Sequence, residues 1–370
     1  MRIAFVSNTY PPRSGGLELH IHNLAQGLAE LGHTVHVLTI SPDGAPTSRR
    51  DGGVRVLTGG AHLPIAEVIS FPSLGTTHHI ADYLAREGIE VVSTHTRFFP
   101  MSLVGLRAAR RAGIPVIHTE HGSGFVASSS PVIAAGARSV DLTWGRYVLR
   151  HADRVLAVSP QAADFVTRLS GVEAEVFYNA ITPPAGTGRH SDRPTHLVFV
   201  GRVVDGKGWD TFLQSVAALR RSGLEVDGEL LGDGADLALA RRQAAELGLG
   251  SVVDIPGRVP AAQVRKRLDG ATLVNPTVLS EGFQTTILEA IAEGGRVVTF
   301  EVPGAQLLRE AGAPVAICPE RTGESLTSTL RELLVSPPKP AAPELITPWT
   351  WPVRARQYSQ IVHDVLATTH

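Results

Sequence analysis

The run His196-Leu197-Val198-Phe199-Val200-Gly201 is continuously apolar after its first residue and ends on a glycine. That is the pattern of a strand buried on both faces of a parallel sheet. It restarts a cadence that has already run once. Ile3–Val6, Thr34–Thr39, Val91–Ser93, Val116–His118 and Val155–Ser159 are strand-like runs separated by helical patterns. After His196 the cadence continues through Gly228–Gly232, Val252–Pro256, Ala271–Asn275 and Val297–Phe300. Strands alternating with helices predict an α/β chain with two Rossmann-like parallel-sheet domains. The clearest helix follows the first strand, where Leu17, Ile21, Leu24, Leu28 and Leu31 step by four and three residues until Gly32 stops it.

Between the two series the pattern lapses into Thr182-Pro183-Pro184-Ala185-Gly186-Thr187-Gly188, a linker composition. The expected division is residues 1–187, residues 188–345, and a terminal segment 346–370. A second break, Pro337-Pro338-Lys339-Pro340, precedes a terminal helix over Val353–Leu366 that could pack on either domain. No fixed-period repeat relates the halves.

Composition narrows the function. At 370 residues and 43% apolar content the chain can fill about two cores. Its 34 basic and 35 acidic side chains leave a formal charge of −1, so nothing points to a nucleic-acid partner. Cys318 is the single cysteine, which excludes a disulfide framework and cysteine-rich zinc modules and fits a reducing compartment. Met1-Arg2-Ile3-Ala4-Phe5-Val6 is too short for a secretory core, and no stretch has the ~18 to 20 apolar residues of a membrane span. The expected location is cytoplasmic, with or without peripheral membrane contact.

Four clusters could carry chemistry. In Ser280-Glu281-Gly282-Phe283-Gln284-Thr285-Thr286-Ile287-Leu288-Glu289-Ala290, two glutamates eight apart span roughly 12 Å of helix. That is close to the span from sugar to ribose in a nucleotide sugar, with free helix-start N–H groups between them to face an anion. A capped core helix is the plain alternative. Gly201-Arg202-Val203-Val204-Asp205-Gly206-Lys207-Gly208 sets an arginine fork and a lysine point charge on a glycine-rich loop, suited to a diphosphate in place of a metal ion. Two solvated loop cations would read the same way. Gly15 and Gly16, after Tyr10-Pro11-Pro12-Arg13-Ser14, would admit a phosphate or sugar to the backbone, or simply form a tight turn. Neither a P-loop nor the complete Gly-x-Gly-x-x-Gly spacing is present, and Gly232-Asp233-Gly234 reads as a turn. Finally, Val116-Ile117-His118-Thr119-Glu120-His121-Gly122-Ser123-Gly124 ends a strand with two histidines and a glutamate. The spacing fits no helical zinc motif, and the readings are a structural hydrogen bond or a donor to substrate hydroxyls.

In this order over two α/β domains, with Tyr178-Asn179 before the linker and Gly257 after the third strand of the second series, these clusters resemble the retaining glycosyltransferases of family 4, on the GT-B fold. The resemblance covers nearly the whole chain. It implies sugar transfer from a nucleotide-diphosphate sugar, UDP- or GDP-linked, with no bound metal or other cofactor, in a cleft between the domains. Arg202 and Lys207 would stabilise the leaving diphosphate, Glu281 the donor-sugar hydroxyls, and His121 would contact the sugar near the reacting carbon. Glu289 would bond the ribose, with Gly15, Gly16, Gly282, Phe283, Gln284, Thr285 and Arg258 completing the donor site. The terminal helix with Trp351 would cross back onto the first domain. Attack on the face of the departing phosphate, which takes the acceptor's proton, is the mechanism implied, since no carboxylate nucleophile stands out.

The departures from the family pattern are Gln284-Thr285-Thr286, Arg296 where a proline is frequent, and Asn179-Ala180-Ile181-Thr182 without the usual glycine and aspartate. The acceptor is a glycan, a lipid-linked glycan or a small molecule. Arg97 in Thr94–Phe99, Ser123, and the apolar Leu63–Leu74 are the positions expected to meet it. Arg107, Arg110 and Arg111 fit a solvated helix face or a transient contact with anionic headgroups. Two rival functions are an epimerase or phosphorylase on the same fold and a non-catalytic nucleotide-sugar-binding regulator. Activity without an acceptor, or binding without turnover, would distinguish them.

Overall fold

The computed structural model describes residues 1–13, 15–41, 47–65, 69–125, 131–184, 190–279 and 282–369. The chain divides into two units, Met1–Thr182 with Thr350–His370, and Pro183–Trp349. Residues 185–189 of the linker-like stretch lie outside the described residues. Residues 346–349, grouped by sequence with the terminal segment, instead belong to a 3-10 turn, Pro343–Trp349, that packs on the second unit through buried Ile346 and Trp349.

In chain order the first unit comprises β1 (Arg2–Val6), α1 (Gly16–Glu30), β2 (Thr34–Ser41), β3 (Thr47–Asp51), β4 (Val54–Ile65), β5 (Ile69–Pro72), α2 (Thr76–Arg86) and β6 (Val91–His95). There follow α3 (Pro100–Ala112), β7 (Val116–Glu120), α4 (Pro131–Val140), α5 (Arg146–His151), β8 (Arg154–Ala157), α6 (Pro160–Ser170) and β9 (Glu175–Val176). The sheet order is β3-β4-β2-β1-β6-β7-β8-β9, parallel except that β3 and β5 run antiparallel to β4. One face is covered by α1, through Ile21, Leu24 and Leu28, and by the terminal helix, through Ala355, Tyr358, Ile361, Val362 and Val365. That helix runs Trp351–Thr369, longer than Val353–Leu366, and starts where the Trp351 amide bonds the Ile181 carbonyl at 3.1 Å. A side chain at Gly27 would collide with Ala355, so α1 and the terminal helix touch where one of them has none.

Two local expectations shift by one or two residues. α1 ends at Glu30, which leaves Leu31 as an exposed cap rather than part of the apolar stripe. β8 ends at Ala157 because Ser159 is used as a helix cap, its hydroxyl accepting the Ala162 amide at 3.2 Å.

The second unit comprises β10 (His196–Val200), α7 (Trp209–Arg221), β11 (Asp227–Leu231), α8 (Leu237–Glu246), β12 (Val253–Gly257), α9 (Ala261–Leu268), β13 (Thr272–Asn275), α10 (Thr285–Ala292), β14 (Arg296–Thr299), α11 (Ala305–Glu310), β15 (Val315–Ile317) and α12 (Gly323–Val335). Every pairing is parallel, in the order β12-β11-β10-β13-β14-β15. This is the 3-2-1-4-5-6 order of a dinucleotide-binding sheet. Arg296, the departure at the start of β14, is buried and works structurally: its guanidinium bonds the Pro338 carbonyl and Asp192, 2.8 Å each, tying two flanking segments to the start of that strand.

Candidate active site

In an open parallel sheet, a crevice opens at the carboxyl ends of the strands where the strand order reverses. In the second unit that point lies between β10 and β13. The loop after β10 carries exposed Arg202 and half-buried Lys207; the loop after β13 leads into α10. The two loops are stitched together. Gly206 O accepts the Val278 amide at 2.9 Å and the Thr277 hydroxyl at 3.3 Å. Gly208 is left-handed (φ 83°) and so close to the Pro276 carbonyl that a side chain would collide with it. Gly232 and Gly234 lie as tightly against the carbonyls of Gly201 and Val203. The stretch that reads in sequence as a turn is therefore a close packing of backbone on backbone, and it fixes the base of the Arg202 loop.

Gln284 occupies the cap position of α10, yet its side chain is held by Asn275 Nδ2 at 2.5 Å rather than folded over the helix start. The Gln284 side chain makes no cap hydrogen bond to the first-turn amides, so it leaves the N-terminus of α10 suited to an anion. The Phe283 ring is buried against Gly304, anchoring the approach to the helix, and Gly282 precedes it. Glu289 is half-buried on the second turn of α10. Burial pushes its carboxyl up to about 7, with Arg265 opposing and Glu293 adding to the shift. Arg258 is exposed just after β12, two strands from β10. Glu281, with Ser280, lies outside the described residues.

The first unit has its own reversal point, between β1 and β6. Gly16 opens α1 onto free space, while the Glu18 carboxylate lies over Gly15 and competes with any anion at that helix start. At the end of β6 the chain turns through Thr96 in the left-handed region (φ 64°), a strained conformation for a β-branched residue. On one side of the turn His95 Nδ1 meets His121 Nε2 at 3.2 Å; on the other, Arg97 reaches Glu120.

The expectation that Arg97 meets an acceptor is overturned. Its guanidinium is fully buried, bonded to Glu120 (2.9 Å), Asp141 (2.9 Å) and the Gly124 carbonyl (3.0 Å), with Phe165 stacked 4.6 Å from it. Thr94, His95, Thr96 and Phe99 are buried with it, so this segment is scaffold. The scaffold shapes the His121 turn, because Glu120 accepts the amides of Arg97, His121 and Gly122 at 3.1, 3.0 and 2.8 Å. Burial disfavours the Glu120 anion, but Arg97, His118 and the Gly122 amide outweigh it and hold its pKa at about 2. Ser123 is half-buried on the same loop. In Leu63–Leu74 the two end leucines are exposed, and residues 66–68 lie outside the described residues.

Sequence reasoning missed His20. It lies on α1, buried, and its Nδ1 donates to Asn179 Oδ1 at 2.8 Å. Burial lowers its pKa to about 4 and holds His95 and His121 well below the usual histidine range. The available signal was a histidine three residues after Leu17 and four before Leu24, inside the apolar stripe.

The solved sucrose-phosphate synthase from Thermosynechococcus elongatus shares this fold over 99% of both chains, at 20% identity and a TM-score of 0.75. Anabaena HepE, solved in complex with UDP, shares it at 17% identity and a TM-score of 0.70, covering 100% of this chain and 98% of the other. In sequence, residues 14–183 match the model of Glycosyltransferase Family 4, and residues 194–336 that of Glycosyl transferases group 1. The GPI3 subunit of phosphatidylinositol N-acetylglucosaminyltransferase from Saccharomyces cerevisiae is 27% identical over 325 residues, 82% of this chain and 68% of that protein. The chain belongs to the family 4 glycosyltransferases, with the GT-B fold. Among the described residues no helix is long and apolar enough to cross a membrane.

Proposed function

We propose that the protein is a retaining, metal-independent hexosyltransferase that moves a sugar from a nucleotide-diphosphate sugar to a hydroxyl of a glycan, lipid-linked or small-molecule acceptor. One observation carries the reading. On either side of the reversal point of the second sheet stand the two loop cations, Arg202 and Lys207, and the start of α10, which Gln284 does not cap, with Glu289 on its second turn. Breaking the bond to a diphosphate builds negative charge on the leaving group. Preorganised cations and helix-start amides lower the energy of that charge without a metal ion. Glu289 bonds the ribose hydroxyls, Glu281 holds the donor sugar, and His121, neutral, contacts the sugar near the reacting carbon. Attack comes from the face the diphosphate leaves, and the leaving phosphate takes the acceptor's proton. A UDP-sugar is the favoured donor, supported by the UDP bound in the HepE structure.

The test is thermal stabilisation and slow hydrolysis with UDP-, GDP-, ADP- and dTDP-sugars, with chelator and without added metal, because a ligand of the folded state must raise stability. Stabilisation by one donor with nucleotide release supports the reading. Full activity in the Glu281→Ala, Lys207→Ala double variant would sink it.

A further inference from the structure

Three histidines meet at the reversal point of the first sheet. His20 on α1, His95 at the end of β6 and His121 after β7 each bring one ring nitrogen to within 4.8 Å of the other two. His95 Nδ1 and His121 Nε2 are 3.2 Å apart. Two nitrogens at the usual 2.0–2.1 Å from a tetrahedral zinc ion stand about 3.3 Å from one another. The His20 ring is edge-on to that of His121, with centroids 4.6 Å apart.

The second observation is independent of this proximity. His20 Nε2 is buried and has no hydrogen-bond partner among the described residues, although its side chain is only 2% exposed. Asn179 Oδ1 takes the proton on Nδ1, which leaves the unpartnered nitrogen with its lone pair. At His95, Ser93 Oγ lies 3.1 Å from Nε2 and can accept its proton, freeing Nδ1 in the same way. Tyr358 in turn donates to Ser93 at 2.6 Å and holds it. Outer partners that fix the tautomer of each imidazole are what a histidine metal site requires. His121 is half-buried, which gives an ion a path in and an open position for water.

We propose that His20, His95 and His121 form a binding site for a late first-row divalent ion such as Zn²⁺. Three neutral imidazoles suit such an ion and not Mg²⁺ or Ca²⁺, which take oxygen ligands. The ion's effect on turnover rests on the function proposed above: it occupies the His121 lone pair and inhibits transfer rather than assisting it.

The experiment is a Zn²⁺ titration of the EDTA-stripped full chain against a chromogenic chelator, with Co²⁺ in place of Zn²⁺ for the visible spectrum. One ion per chain and the intense bands of low-coordinate Co²⁺ are expected. His20→Ala and His121→Ala each weaken affinity by about tenfold or more, and Asn179→Ala, which removes an outer partner only, by about 10- to 100-fold. Circular dichroism checks that each variant folds; if His20→Ala does not, the other two decide. Absence of binding by the folded wild type, or unchanged affinity in these variants, overturns the site. So does binding lost in His190→Ala alone, since His190, Asp269 and Glu293 form a separate cluster in the second unit. Zinc bound through the trio without inhibition leaves the site standing and removes His121 from the donor. No zinc binding removes the site and leaves the transferase reading untouched.

Discussion

The carbonyl of Gly206 accepts the amide of Val278 at 2.9 Å, so the residue beside Lys207 is bonded to the loop that leads toward Glu281. Placing a cation against a diphosphate is effective only if the loop that carries it does not have to reorganise. The two loops share one backbone geometry, and glycines at 206 and 208, with φ of 77° and 83°, make that geometry accessible.

Gly208→Ala therefore strains the loop twice, by the left-handed conformation and by collision with the Pro276 carbonyl. The conformation alone costs about 1–2 kcal/mol. We expect a loss of at least that size in urea unfolding, together with a fall in kcat. Gly206→Ala, whose new methyl crowds the Leu279 side chain and touches that of Val278 rather than meeting backbone, loses less stability.

Lys207→Ala and Arg202→Ala remove the charges proposed to face the leaving diphosphate while leaving the hydrophobic core intact. Each is expected to lower kcat by about 10² to 10³. Thermal midpoints stay close to wild type, because Arg202 is exposed and Lys207 half-buried on a surface loop. A normal kcat in both variants would move leaving-group stabilisation to the α10 amides alone.

The strand-helix cadence was legible because strands buried on both faces must be continuously apolar, and each stretch read from it holds a strand. The hairpin elements β3 and β5 were not legible: Thr47–Asp51 is polar and mostly exposed, paired antiparallel with β4 and tied through Arg49 and Asp51 to Pro11, Tyr10, His22 and Gln26. Arg202, Lys207, Glu289 and the α10 start were legible as loop and helix-start residues next to strands. Arg97 was misread because the sequence shows a charge but not its partners, and Glu120 and Asp141 lie 23 and 44 residues away. His20 was missed because it occupies a core position with a polar atom left over, a fact of burial rather than of pattern.

Arg97→Met tests the structural reading of that arginine. Removing the guanidinium leaves Glu120 and Asp141 buried without a counter-charge, and breaking a buried pair in this way costs about 3–5 kcal/mol. We expect a loss of this size in denaturant unfolding, with no rescue in Arg97→Lys, since a single ammonium cannot span Glu120, Asp141 and the Gly124 carbonyl at once.

With Glu289 in the proposed role at the ribose, donor binding is expected to depend on pH. Burial raises its folded pKa to about 7, against an ordinary carboxyl value of 4.5, with Arg265 opposing and Glu293 reinforcing the shift. Below 7 the carboxyl is largely neutral; above it, the carboxylate is the form that can accept a ribose hydroxyl in a charge-assisted bond. Affinity for a nucleotide is therefore expected to rise as pH increases through about 7, and calorimetry at pH 6 and pH 8 measures it. Stability runs the other way. Because the folded state holds this proton more tightly than the unfolded chain, the carboxyl weakens the fold progressively as pH rises from about 4.5 to 7. Glu289→Gln should flatten both profiles, raising the thermal midpoint of the unliganded protein at pH 8 while weakening nucleotide binding there. If the variant binds nucleotide with the pH dependence of the wild type, Glu289 is not the group that meets the ribose.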